Sequence, residues 1–138
     1  MTLPSATASY LALLALLYTV LSFNVIRLRR GNKIGFGDGG HPGLSSAIRA
    51  HANFAEYVPV IVILVGALEM HGASRSLVHA LMGTLLLARV LHPFGMFAKP
   101  GSLPFTVGRV LGTALTTTLL VVSALMVLAR IGSVVFFE

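Results

Sequence analysis

Four segments of this chain, residues 3–26, 44–68, 77–97 and 105–129, are each long and apolar enough to cross a bilayer, for which about 20 residues suffice. Hydrophobic residues make up 56% of its 138 positions and charged residues only 10%, so little chain remains to build anything else. Backbone N–H and C=O groups in hydrocarbon have to be satisfied within their own segment, which makes the expected fold all-α: one four-helix integral membrane domain over residues 1–138. The basic flank of the first segment follows the apolar stretch rather than preceding it, the reverse of a cleavable signal peptide, so this segment reads as a retained helix.

The sequence pI of 10.9 comes from ten basic residues whose placement is that of a membrane protein, not of a nucleic-acid binder. Four of them (Arg27, Arg29, Arg30, Lys33) follow the first span directly, where the positive-inside rule puts a cytoplasmic loop. Both termini then lie outside the cytoplasm, with the Arg75 loop outside and the Lys99 loop inside. The chain has no cysteine, which excludes disulfides and cysteine nucleophiles and leaves any thiol chemistry to a thiol brought by a substrate.

Arg49, Asn53 and Glu56 stand at i, i+4 and i+7 in the second span and so share one helical face. A charge at the bilayer centre costs roughly 2.5–3.5 kcal/mol on insertion scales, so these side chains need partners or a task. At about 1.5 Å per residue, Arg49, Asn53, Arg89, His92 and Arg109 all fall about 6–14 Å deep in the cytoplasmic half of the membrane. Three helices therefore bring polar or cationic groups to one level. Glu56 is the single carboxylate near that layer and Glu69 sits at the far end of its helix. The surplus positive charge calls for an anionic ligand, anionic lipid headgroups or water; equally, Arg49, Asn53 and Glu56 could form a network that fixes packing or oligomeric state.

Other features carry less. His51 points away from Asn53 on the helical wheel and reads as a packing residue. His41, His51, His71, His79 and His92 show no i, i+3 or i, i+4 pair, so metal-ligand spacing is absent. The glycine-rich run 35–43 lacks a preceding strand and a Gly-Lys-Ser ending, and reads as a turn-forming cytoplasmic loop or a lid, not a nucleotide site. Pro59 is expected to kink the second span or open it locally. Gly108 and Gly112 form a small-x-x-x-small pair suited to self-association.

Taken together, four spans, a basic first loop, Arg49-x-x-x-Asn53-x-x-Glu56-Tyr57 followed by Pro59, Arg89-x-x-His92 and Arg109 resemble the MAPEG superfamily of membrane-associated proteins in eicosanoid and glutathione metabolism, in its bacterial branch. The resemblance covers nearly the whole chain. It implies a homotrimer in a bacterial inner membrane that binds glutathione as co-substrate in the cytoplasmic half, with Arg49, Asn53, Glu56, Tyr57, Arg89 and His92 holding the peptide and Arg29 or Arg30 assisting. Arg109 resembles the arginine that stabilises the glutathione thiolate for attack on a lipophilic electrophile from the bilayer, which would make the protein a glutathione transferase or peroxidase. A tyrosine present in some eicosanoid enzymes seven residues after the third-span arginine is replaced here by Met96, and the connection to Arg109 is longer than in those enzymes. Two readings from other classes stand beside this one: a non-catalytic membrane protein whose polar layer binds lipid headgroups or stabilises the oligomer, and a small proton-coupled transporter using Glu56.

Overall fold

A computed structural model describes residues 3–137, with side chains to residue 132. Four helices in it are long and apolar enough to cross a membrane. In order they are α1 (Ser5–Asn32), α2 (Pro42–Met70), α3 (Arg75–Phe97) and α4 (Gly112–Phe137), the last entered through a π-helical segment, Phe105–Leu111. Each of the first two extends beyond the apolar stretch that announces it, α1 by six residues at its C-terminal end and α2 by two at either end. Charged side chains can follow the helix out of the hydrocarbon.

The helix ends follow local chemistry. Lys33 takes the left-handed conformation (φ 55°) and Ile34 N–H donates to the Arg29 carbonyl, closing α1 as a glycine would. The following loop turns on Gly37, Gly39 and Gly40, all at positive φ. In it the Gly40 N–H and the Ser45 hydroxyl hold the Asp38 carboxyl below its ordinary pKa. His41 caps α2 by accepting from Leu44 N–H at 3.2 Å, with Pro42 occupying the first helical turn, where its missing N–H costs nothing. Ser74 does the same for α3. Pro4, before α1, has no side chain able to cap; instead Glu69, from the far end of α2, accepts from Ala6 N–H (2.9 Å), Thr7 N–H (2.8 Å) and the Thr7 hydroxyl (2.6 Å).

Helix α2 packs against α1, α3 and α4, and α3 against α1 and α4. The core between them is apolar, with Leu14, Ile61, Val65, Val78, Met82 and Leu85 removed from solvent. Toward the basic-loop end of the bundle His51 stacks on Tyr18 at 4.6 Å and meets Ser22 Oγ at 3.1 Å, tying α2 to α1 as a packing residue. Helix α2 runs unbroken through Pro59, and α3 through Pro93.

Helix α3 and the π-helical segment approach each other closely. A Cβ on Gly95 would collide with Arg109 N, and one on Gly108 would stand 2.6 Å from Gly95 N and Leu91 O. Backbone meets backbone there, which only glycine on both sides allows. The small-residue pair expected to drive self-association is thus spent inside the subunit: Gly108 against α3, and Gly112 within 3.3 Å of Ala88 O when given a Cβ.

Candidate functional site

The Gly95–Gly108 contact is what brings the fourth span's arginine to the second and third spans. Arg49 and Asn53 on α2, His92 and Met96 on α3, and Arg109 and Thr113 at the start of the fourth span together line a partly open cleft of about 200 Å³. Within Phe105–Leu111 the backbone winds as a π-helix, a wider turn than the α-helix and one that recurs at functional sites. Arg109 lies with its guanidinium 5.3 Å from the Phe105 ring, a cation–π contact that steadies its stem while the residue stays exposed. Arg49 is likewise exposed, so two permanent cations face one cleft without burying either.

Arg89 takes a different place. It is 1% exposed, and its guanidinium donates to Asn53 Oδ1 at 2.7 Å and to the Gly112 carbonyl at 2.9 Å, while its Nε has no hydrogen-bond partner. The fork geometry of arginine lets one side chain join α2 to the start of α4 through α3. Gly112 O also accepts from the Thr116 hydroxyl at 2.8 Å. Arg89 therefore forms the floor that orients Asn53, and it does not line the cleft.

His92, 3% exposed, is one turn further along α3 and forms part of the cleft wall. Met96, the position of the absent tyrosine, is also in the wall; a thioether fills space there but cannot donate a hydrogen bond. Thr113 was not among the sequence-derived candidates, and Met96 was singled out only as the position of the absent tyrosine. The signal that could have found them is helical: Met96 lies four residues after His92, and Thr113 four after Arg109.

The remaining sequence-derived candidates lie elsewhere. Glu56 is exposed and Tyr57 half-buried one turn beyond Asn53 on α2, outside the cleft lining. Arg29 and Arg30 line a second cleft of about 460 Å³ at the end of α1, where Arg29 donates to the Gly37 carbonyl at 2.8 Å. The structure thus brings together Arg49, Asn53, His92 and Arg109, sets Arg89 beneath them, packs Tyr57 against the core outside the cleft lining, and leaves Glu56, Arg29 and Arg30 on other surfaces of the single subunit.

Comparison with known proteins gives two matches in agreement. The sequence model of the MAPEG family matches residues 7–129. The chain is also similar to the inner membrane protein YecN of Escherichia coli, in two strains, with 43% identity over 89 residues that cover 64% of this chain and 68% of YecN. No solved structure matches it.

Proposed function

The chain belongs to the MAPEG family, and from that premise and the cleft geometry we propose that it is a glutathione-binding inner membrane enzyme of the transferase or peroxidase type. The observation that carries this reading is the pairing of Arg49 and Arg109 across one small cleft whose floor is the Arg89–Asn53 clamp. Glutathione has two carboxylates, an ammonium and a thiol. Arg49 clamps a carboxylate through paired hydrogen bonds, Asn53 bonds the peptide backbone, and His92 shapes the wall behind it. Arg109 stabilises the thiolate: a thiol with pKa about 8.5 is mostly protonated at neutral pH, and a fixed cation beside the sulfur favours its ionised form. In conjugation the thiol proton leaves to water and the sulfur forms a bond to the electrophilic carbon of a lipophilic substrate arriving from the bilayer, as that carbon's bond to a leaving group breaks and the group departs as an anion with the electron pair.

The size of the cleft supports a site shared between copies, in line with the homotrimer that the family resemblance implies. About 200 Å³ falls short of the roughly 300–1,000 Å³ of pockets that enclose a whole small ligand, so one subunit holds only part of the tripeptide. Glu56, on an exposed face of α2, is available to ligand completed by a second copy, where it would receive the ammonium, while Tyr57 packs against the core one turn beyond Asn53. The orientation expected from the basic first loop puts the cleft on the cytoplasmic side, with both termini opposite.

Calorimetric titration of the purified protein with glutathione tests this directly. Wild type binds. Arg49→Ala and Glu56→Ala each weaken binding about 10- to 100-fold, the loss expected for a hydrogen bond to a charged group. Arg109→Ala retains binding but loses the ultraviolet absorbance of bound thiolate. Absence of glutathione binding in every detergent and lipid tested would remove the proposal. Binding with no thiolate band in wild type would favour the non-catalytic reading, in which the Arg89 clamp is purely a packing device.

A further inference from the structure

Of the side chains that line the cleft, Thr113 alone offers a hydroxyl, and no step of the chemistry above uses it. Arg109 is exposed; Thr113 stands four residues further into the fourth span, on the same helical face, and is half-buried.

Threonine hydroxyls inside a helix commonly turn back to the carbonyl four residues earlier. Thr106, Thr116 and Thr117 do so here, donating to Ser102 O at 3.2 Å, Gly112 O at 2.8 Å and Thr113 O at 3.1 Å. For Thr113 that carbonyl is Arg109 O, which lies in the π-helical segment and already accepts from Gly112 N–H. Among the described residues the Thr113 hydroxyl has no hydrogen-bond partner. Its backbone, by contrast, is fixed on both sides. The carbonyl before it, Gly112 O, accepts from Arg89 at 2.9 Å and from Thr116, and its own carbonyl accepts from Thr117. The arginine that orients Asn53 therefore also sets Thr113, whose β-branched side chain has little χ1 freedom left to lose.

A hydrogen bond to the charged form of a group favours that form, and a donor held in place beforehand costs no reorganisation when the charge develops. An exposed cation such as Arg109 is partly screened by water and salt, whereas a fixed neutral donor one turn deeper is screened less. On the glutathione reading, we propose that Thr113 donates its hydroxyl hydrogen to the glutathione sulfur, so that the thiolate lies between Arg109 and Thr113 and both favour its ionised form. The thiol proton still leaves to water, and the hydroxyl keeps its own. The acceptor is the sulfur because Thr113 shares its helix face with Arg109, the group beside the sulfur, while the carboxylate and peptide bonds fall to Arg49 and Asn53 on α2.

The ultraviolet absorbance of bound thiolate, titrated against pH at saturating glutathione, reads this directly. Thr113→Val keeps the shape and removes the donor. Its midpoint rises by about one pH unit, a tenfold fall in the ratio of thiolate to thiol. Thr113→Ser keeps the hydroxyl, loses the methyl and titrates close to wild type. Circular dichroism reports whether each variant keeps the fold, and Thr113→Ala supplies the same midpoint shift should the valine variant misfold. A wild-type band with an unmoved midpoint in the folded valine or alanine variant would overturn the role of Thr113 alone. So would a serine variant shifted as far as valine, which would assign the effect to packing, or weaker glutathione binding with no change in midpoint, which would assign the hydroxyl to the peptide. Wild type that binds no glutathione, or shows no thiolate band at any pH, would overturn the glutathione reading itself and this role with it.

Discussion

Among single residues, Arg89 does most to define the site without lining it. Truncating a buried side chain that satisfies two acceptors leaves Asn53 Oδ1 and part of the Gly112 carbonyl's capacity unmet, which costs about 1–3 kcal/mol per group. Arg89→Met is therefore expected to lower unfolding stability in detergent by a few kcal/mol and to weaken glutathione binding as Asn53 turns away. Arg89→Lys recovers little, because a point ammonium cannot reach two acceptors in the fork geometry. Denaturation and titration of the two variants together check this. That Arg89 shares a level of the bundle with Asn53 was legible in the sequence, but its role was not. Distance along a helix gives depth, and residues at one depth differ in function according to which helix face the neighbours cover.

At the scale of elements, the junction of α3 with the π-helical segment decides where Arg109 points. The long connection before Arg109 was visible in the sequence; that part of it would wind as a π-helix was not, since π and α turns share residue preferences and differ only in which carbonyl each N–H meets. The glycines that permit the junction were visible too, though Gly108 and Gly112 suggested contact with another copy. A glycine pair specifies close approach without saying to what. Gly95→Ala or Gly108→Ala forces backbone apart by several tenths of an ångström or more. Overpacking of this kind costs about 1–3 kcal/mol, and here it also moves Arg109. Each variant should melt earlier than wild type and lose the thiolate band. Gly31→Ala is the control: nothing lies within 4 Å of its added Cβ, and it should be neutral or slightly stabilising.

At the scale of the molecule, the four-helix architecture could be read from hydropathy because bilayer thickness imposes a length and backbone satisfaction imposes a helix. What hydropathy does not carry is association between copies, since apolar surface facing lipid and apolar surface facing a second subunit have the same composition. On the proposed reading, further copies complete the partial cleft. If three copies complete the glutathione site, the purified protein should have the mass of a trimer by light scattering corrected for detergent. Glutathione should also raise its melting temperature, since a ligand that binds only the assembled form stabilises that form. A monomer that binds glutathione at full affinity would contradict this arrangement.

The Glu69 cap has a consequence in time rather than in space. The leading N–H groups of α1 find their acceptor 62 and 63 residues downstream, at the far end of α2. During synthesis, α1 therefore reaches the membrane with its first turn uncapped, and that turn is completed only when α2 has crossed and delivered its carboxylate to the same side. A helix capped by its own preceding residue could be finished alone. In this chain the first hairpin is the smallest unit that can be finished, and its two helices have to be in place together before the N-terminal end of α1 is settled.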